Sequence, residues 1–285
     1  MADSKPGLVG VGDNVVDHYV DEDLYYPGGN TLNVAVLARR FGLQNSAYIG
    51  IVGDDEEGRH VHASLLAEGL SDKNLRIAHG ETGKAEVAIV DGDRTFITSN
   101  KGGIRQRLML RMDRNDLALI ERFGHVHSSC FSYVEPELVR LRQVSQGLSF
   151  DFSTGRDFGY LATVCPTITI AFLSAADLTD DDTEGLIKAV HSIGAPSVCV
   201  TQGERGAVFS TGERLIRQGV EQAELVDTMG AGDSFIAAFL ASRIDGATVE
   251  EAMAQAAKFA AKACGWAGAF GHPHPAGGRR LARHD

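Results

Sequence analysis

The sequence predicts an α/β fold, in which helices cover both faces of a mostly parallel central sheet and a smaller sheet lies beside it. Along most of the 285 residues, short apolar segments alternate with helical segments, as in buried parallel sheets built from βαβ units. Glycines such as Gly42 and Gly69 stand where helical segments stop. Residues 84–98 depart from this alternation, because two strand-like runs flank an Asp-Gly-Asp turn and predict a hairpin.

The first half of the chain contains two strand-helix units before the hairpin. Residues 8–12 predict the first strand, which ends at Asp13. A helix is predicted over 30–40, a strand over 46–52 and a second helix over 57–68.

The second half returns to alternating strands and helices. Strands separated by helical stretches are predicted over 125–129, 148–151, 168–172 and 197–201. An alanine-rich helix is predicted over 249–264. Residues 271–285 are rich in Gly, Pro, His and Arg, and they predict an irregular C-terminal tail.

The composition indicates a cytoplasmic protein that binds neither nucleic acid nor membrane. Its 38 acidic and 27 basic residues give a formal charge of −11, which disfavours polyanionic partners. The four cysteines have no Cys-x-x-Cys spacing, so zinc and redox roles are disfavoured and reduced thiols are expected. No apolar segment approaches the length of a membrane span, and the N-terminus has no signal-like apolar region.

The nine residues DTMGAGDSF at 227–235 form the most informative motif of the chain. Glycines allow close approach of the backbone to a ligand, and the apolar residues that follow predict a buried helix. The amides of Gly230, Ala231 and Gly232 would then lie at a helix N-terminus, where they can bind an anion. Asp233 beside them is placed to take a proton from a hydroxyl that attacks a phosphoryl group. The alternative is a flexible turn before a helix, with Asp233 as a first-turn acid.

Two motifs in this order resemble those of the ribokinase-like (PfkB) sugar kinases. The nine-residue motif is similar to the C-terminal signature of that family. The run GGNTLNVAVLARRFG at 28–42 resembles the family's Gly-Gly-x-x-x-Asn-x-Ala helix entry. The resemblance extends from residue 7 to about residue 270 and implies one kinase domain with a three-layer αβα fold. It also implies a small β-sheet lid, built by strands near 17–27 and 84–98.

The resemblance implies a sugar kinase that uses ATP and Mg²⁺, with Asp233 as general base and the amides of 230–232 as anion hole. The sugar would be bound by Asp13, Asp17, Gly28, Gly29, Asn33 and Gly103. For Asp13 and Asp17 the alternative is a turn or cap role. Another open alternative is a catalytically silent sugar-binding regulator on the same fold.

The TQGERG run at 201–206 resembles a nucleotide-binding turn of the family. It implies ATP contacts at Thr201, Gly203 and Gly206, to which we add Thr228 of the signature. The family's Asn-x-x-Glu, which positions Mg²⁺, is replaced here by Ser174-Ala-Ala-Asp177. Asp177 is therefore a candidate for the magnesium site, and Asp227 for ordering the loop or a monovalent cation such as K⁺.

The N-terminal and C-terminal motifs together look most similar to those of fructoselysine 6-kinases within this family. The implied substrate is a fructosamine, whose cationic amine would suit an acidic residue such as Asp13. Phosphorylation of another sugar, as by fructokinases or ribokinases, is the alternative. Exposed edges of the lid strands favour a homodimer through the lid sheets over a monomer.

Overall fold

The computed structural model describes residues 5–90, 93–278 and 281, and the strands occupy two sheets within them. The strands, in chain order, are β1 Gly7–Gly12, β2 Val15–Tyr19, β3 Leu24–Gly28, β4 Ser46–Gly53, β5 Leu75–Ala78, β6 Lys84–Val90, β7 Asp93–Ser99, β8 Gly124–Ser129, β9 Gly147–Asp151, β10 Ile170–Ser174, β11 Ser197–Thr201, β12 Ala207–Ser210, β13 Leu215–Gln218 and β14 His274–Pro275.

Within the part of the chain that the structure describes, the central sheet has nine strands in the order β13-β12-β11-β10-β9-β8-β1-β4-β5. The strands from β11 through β5 are parallel to one another, while β12 and β13 are joined to that edge in antiparallel fashion. The predicted strand at 168–172 lies two residues later, because Ile168 and Thr169 belong to the turn that enters β10.

Among the described residues, eight α-helices cover the central sheet. They are α1 Asn30–Phe41, α2 Glu56–Ala67, α3 Arg114–Phe123, α4 Leu138–Val144, α5 Phe158–Val164, α6 Asp180–Ser192, α7 Ala231–Ile244 and α8 Val249–Ala263. One hydrophobic cluster packs α1, α2, α7 and α8 against one face of the sheet. A second cluster packs α3, α4, α5 and α6 against the opposite face. Successive residues of a strand point to opposite faces, so Leu8 lies in the first cluster and Val9 in the second. The predicted three-layer αβα fold is therefore confirmed.

A second sheet, which we call the lid sheet, has the order β14-β3-β2-β6-β7. Its strands β2 and β3 correspond to the segment predicted near 17–27, and β6 and β7 form the hairpin predicted at 84–98. Two residues of the predicted turn, 91 and 92, lie outside the described residues. The lid sheet follows β1 directly, so it adjoins the carboxyl ends of the central strands, where open α/β sheets bind ligands.

The predicted irregular tail is wrong in one respect, because part of it joins the lid sheet. His274 and Pro275 pair antiparallel with β3, and the amide of Ala276 donates to the Asp23 carbonyl oxygen at 2.8 Å. An edge strand offers unpaired backbone groups, which this segment satisfies. One edge of the lid sheet is thus covered by the chain's own C-terminal segment.

Within the described part of the chain, no helix combines the length and the apolar composition that crossing a bilayer requires.

Candidate active site

Two neighbouring cavities lie where the central strands, the lid sheet and the start of α7 meet. The larger, of about 790 Å³, is lined by residues of the lid and of the strand ends, and by Asp233. The smaller, of about 460 Å³, lies between the turn after β11 and helices α7 and α8. Thr201 and Gly232 line both cavities. A ligand in one cavity can therefore reach a ligand in the other at this point.

Asp233 faces the larger cavity from the first turn of α7, and two amide side chains hold it. Its Oδ1 accepts a hydrogen bond from Asn30 Nδ2, and its Oδ2 accepts one from Asn33 Nδ2, both at 2.7 Å. Burial raises the pKa of Asp233 to about 6, although the two amides oppose the shift by stabilising the charged form. A carboxylate that is fixed in place and has a pKa near neutrality suits a general base.

Asn30 links Asp233 to a buried acid, Asp151, which was not predicted from the sequence. Its Nδ2 also donates to Asp151 Oδ2 at 2.7 Å. Asn30 is the first residue of α1 rather than its cap, which is Gly29, so its side chain is free for this role. Asp151 ends β9, and the rule that selected Asp13 at the end of β1 would have selected it also.

His127 fixes the orientation of the Asn30 side-chain amide by a hydrogen bond to its oxygen. Its Nε2 lies 3.0 Å from Asn30 Oδ1, and its Nδ1 lies 2.9 Å from Ser149 Oγ. Burial lowers the pKa of His127 to about 3, so the ring is neutral. Because Asn30 Nδ2 is used by two carboxylates, Oδ1 requires a donor, and Nε2 must carry the hydrogen. His127, on β8, is therefore a hydrogen-bonding residue of the site.

Two further buried acids face the larger cavity. Asp13 Oδ1 accepts from the hydroxyls of Ser129 and Ser132, at 2.7 and 3.0 Å. Asp17 lies on β2 of the lid sheet, and burial together with the charges of Asp233, Asp227 and Asp13 raises its pKa to about 7. Burial likewise raises the pKa of Asp151 to about 7. The larger cavity is thus lined by four acids, Asp13, Asp17, Asp151 and Asp233.

Of the other four residues predicted to bind sugar, two line the larger cavity and two do not. Gly29 and Asn33 line the larger cavity, and the buried Asn33 Oδ1 has no hydrogen-bond partner among the described residues. Gly28 and Gly103 do not line the cavity. A side chain at Gly28 would collide with Asp17 Oδ2. Gly103, at φ 58, instead pairs with Thr82 in an isolated bridge, which turns it away from the cavity.

The glycine-rich loop before α7 has the predicted arrangement with one difference. Gly230, at φ 74, is the N-cap of α7, and a Cβ there would lie 2.6 Å from Ala269 Cβ. The amide of Ala231 donates to the Thr228 carbonyl oxygen at 3.2 Å. The predicted anion hole therefore has Ala231 N–H engaged within the loop, whereas Gly230 and Gly232 line the larger cavity.

The four residues predicted for the nucleotide lie together. Thr201, Gly203, Gly206 and Thr228 all line the smaller cavity, which is completed by small apolar residues of α8 such as Ala257 and Ala260. Apolar walls with a few polar groups at one end are typical of cofactor sites.

The two predicted metal residues are engaged with the protein itself. Both carboxylate oxygens of Asp177 accept from Arg156, at 2.6 and 2.8 Å, and this pairing lowers the pKa of Asp177 to about 2. Asp177 lines neither cavity. Among the described residues, no three His, Cys, Asp or Glu side chains are grouped to hold a metal ion. Asp177 therefore offers no unpaired carboxylate to either cavity, and the magnesium site stays a prediction.

Asp227 orders the glycine-rich loop. Its Oδ1 accepts from the Met229 amide at 2.6 Å, and its Oδ2 accepts from Tyr19 Oη and the Gly268 amide, both at 2.8 Å. Because Tyr19 belongs to β2, this buried carboxylate joins the loop to the lid sheet. That matches the ordering role considered for Asp227, and binding of K⁺ there stays a prediction.

Because the pKa of Asp233 is raised, any activity that uses it as a base should fall at low pH. The carboxylate must be deprotonated, so log(kcat/KM) should fall with a slope of about one per pH unit below pH 6. Above that pH the Asp233 carboxylate is charged, so any further change near pH 7 would come from Asp17 and Asp151, whose pKa values are raised to about 7. A pH–rate profile of kcat/KM measures the apparent value, and an acid limb near pH 4 would contradict the burial argument.

Comparisons with known proteins agree with this geometry. The model of the family described as pfkB family carbohydrate kinase matches residues 8–272. The chain is 46% identical over 269 residues to fructosamine kinase FrlD of Bacillus subtilis (strain 168), covering 94% of each protein. It is 34% identical over 264 residues to fructoselysine 6-kinase of Escherichia coli (strain K12), covering 92% of this chain and 99% of that protein.

A solved structure of Arabidopsis thaliana ribokinase, complexed with ribose and ATP, has the same fold. Its TM-score is 0.78 at 21% identity, and the match covers 91% of this chain and 92% of that one. The family match spans nearly the whole chain, and the relatives are similar over almost their full length. The chain therefore belongs to the pfkB family of carbohydrate kinases.

Proposed function

We propose that this protein transfers the γ-phosphoryl group of ATP to a hydroxyl of a fructosamine, a ketose that carries an amine. The observation that carries the proposal is the position of Asp233, a half-buried acid held by two amides at the junction of two cavities. Sugar in the larger cavity and nucleotide in the smaller one would meet at Gly232 and Thr201.

In the proposed reaction, Asp233 takes the proton of the attacking hydroxyl as the bond from that oxygen to the γ-phosphorus forms. The bond from the γ-phosphorus to the bridging oxygen of ATP breaks, and ADP leaves with that oxygen. The backbone N–H groups at the start of α7, with its positive dipole end, stabilise the charge on the transferring group. Asn33 positions the base, and its unpartnered Oδ1 is available to accept from a sugar hydroxyl. The lid sheet excludes water from the larger cavity. A requirement for Mg²⁺ carried on ATP stays a prediction. Asp177 pairs with Arg156 and does not offer a site for the ion.

The charge of the larger cavity supports the fructosamine over a neutral sugar. Asp13, Asp17 and Asp151 are buried carboxylates that line the cavity, and an ammonium group would neutralise part of their charge. The similarity to FrlD and to fructoselysine 6-kinase supports the same substrate class. Asp17 and Asp13 are thus proposed as substrate contacts, and Asp13 Oδ1 also accepts from the Thr31 amide in the first turn of α1 at 3.2 Å.

The substrate proposal is tested by ADP release with Mg-ATP against a panel of fructoselysine, fructose, ribose, 2-keto-3-deoxygluconate and adenosine. We expect kcat/KM for fructoselysine to exceed that for fructose by ~10-fold or more, since one charged contact contributes about 1.5–3 kcal/mol. A preference for ribose or fructose would favour a kinase of another sugar. Sugar binding without turnover would favour the regulator.

A homodimer through the lid sheet remains part of the proposal. β14 covers one edge, so β7 is the edge that would pair. Phe96 and Ile97 of β7 are 62% and 43% exposed, and a partner's lid would cover them. Analytical ultracentrifugation checks the dimer: the wild type should sediment as a dimer, and Phe96→Lys should sediment as a monomer. The cytoplasmic location stays a prediction.

A further inference from the structure

Arg105 is a buried cation in the wall of the larger cavity. It lies in the helical turn Ile104–Gln106, directly after the lid hairpin, and its side chain lines the cavity although the residue is 4% exposed. The backbone of this turn is fixed, because the Ile104 amide donates to the Glu81 carbonyl oxygen at 2.7 Å. No motif of the sequence indicates this residue, since its burial depends on how the turn is folded against the cavity.

The guanidinium group of Arg105 is only partly satisfied. Its Nη2 donates to the Phe131 carbonyl oxygen at 2.7 Å. Its Nε and Nη1 are buried without a hydrogen-bond partner, and no carboxylate lies within ion-pair distance of it among the described residues. Buried charges are normally paired, and an unpaired one is unfavourable. Such a residue in a ligand cavity indicates that its counter-charge comes from the ligand.

The other cations of the cavity wall differ from Arg105. Lys84 Nζ is paired with Glu57 Oε1 at 2.8 Å and also donates to Tyr25 Oη. Lys101 is exposed at the rim. Gly102, between the rim and the turn, lines the cavity, and a Cβ there would lie 3.0 Å from Arg105 Nη2. The absence of a side chain at 102 leaves an approach from the cavity to the guanidinium.

We propose that Arg105 binds the carboxylate of the amino-acid part of the fructosamine substrate. The inference rests on the proposed function and adds a second charged contact to it. The acids of the cavity attract the amine of the substrate, and Arg105 attracts the carboxylate that the amino acid carries. Arg105 is then a specificity residue, which favours glycated amino acids over fructosamines of neutral amines. Arginine suits this role because its planar group matches the geometry of a carboxylate.

The test compares substrates that differ in the carboxylate alone. Fructosylglycine and fructoselysine are each measured against the corresponding amide, with wild type, Arg105→Gln, Arg105→Lys and the exposed neighbour Arg107→Gln. We expect kcat/KM of the wild type for fructosylglycine, fructoselysine or both to exceed that for the corresponding amide by ~10–10²-fold. Arg105→Gln should lose that preference through KM while retaining its activity on the amides. Arg105→Lys should restore part of the preference, and Arg107→Gln should keep all of it.

Two results would overturn the assignment of Arg105. One is a wild-type enzyme that uses every carboxylate and its amide equally well. The other is an Arg105→Gln enzyme whose losses are the same for carboxylate and amide, as a purely structural role predicts. If no fructosamine is turned over, the proposed transfer to a fructosamine fails, and calorimetry with the same pairs still tests Arg105. Binding that depends on the carboxylate in the wild type and not in Arg105→Gln supports the inference, and carboxylate-independent binding overturns it. Thermal unfolding shows that each variant is folded.

Discussion

Replacing Asp233 by Asn should lower kcat by at least ~10²-fold, since a positioned general base contributes ~10²–10⁴-fold. The amide has nearly the shape of the carboxylate but cannot accept the proton of the attacking hydroxyl. Affinity for the sugar should change little, because Asn33 Oδ1 and the acids of the cavity remain in place. Steady-state kinetics with the fructosamine substrate and saturating Mg-ATP measure both parameters.

Asp177→Asn is the matched control for this change. It makes the same acid-to-amide replacement at an exposed residue outside both cavities, where the carboxylate pairs with Arg156. We expect its kcat to stay within about twofold of the wild type, as for a surface position. Turnover of Asp233→Asn near that of the wild type would remove Asp233 from the mechanism. A loss in Asp177→Asn as large as in Asp233→Asn would instead return the 174–177 segment to the reaction.

Replacing Asn30 by Leu should lower kcat/KM by ~10–10²-fold, because the side chain donates to two carboxylates and such charged hydrogen bonds contribute about 1.5–3 kcal/mol. Leucine has similar size but leaves Asp233, Asp151 and His127 each without one partner. Asn30 Nδ2 lowers the pKa of Asp233, so its loss should raise that pKa. The acid limb of the pH–rate profile should therefore move from about pH 6 to higher pH.

The pH shift separates positioning of the base from general loss of packing. Asn115→Leu, at an exposed position in the first turn of α3, serves as the matched control and should leave both kcat/KM and its pH dependence unchanged. His127→Phe should have a smaller effect than Asn30→Leu, because it removes the donor to Asn30 Oδ1 but leaves the Asn30 amide itself. An Asn30→Leu enzyme with an unchanged acid limb would show that Asn30 does not act on Asp233.

The central sheet and its helices were predictable because their signals are local. Period-2 and period-3.6 patterns of apolar residues locate strands and helices without knowledge of their neighbours. The glycines at the start of α7 and the helix entry at Asn30 are signals of the same kind, since a turn or an anion-binding helix end uses consecutive residues. The tail was mispredicted at His274 and Pro275, because two residues acquire strand geometry only by pairing with β3.

The candidate site was predictable in part. The four residues predicted for the nucleotide were selected from short motifs, and they lie around one cavity. Gly103 was predicted to contact the sugar, but Gly102 is the glycine that lines the cavity. A sequence does not reveal which of two adjacent glycines faces a cavity. Asp177 was selected by spacing to a family motif, but its pairing with Arg156 depends on a residue 21 positions earlier in the chain.

The sequence by itself determined the fold class, the family and the identity of Asp233 as the candidate base, because motifs of consecutive residues and apolar periodicity carry that information. Tertiary structure alone decided which distant residues surround the base. Asn30, His127, Asp151 and Asp233 are up to 203 positions apart, yet one amide group connects two of the acids. Burial also belongs to the folded state, and it is burial that raises the pKa values of these acids and leaves the Arg105 guanidinium in need of a counter-charge.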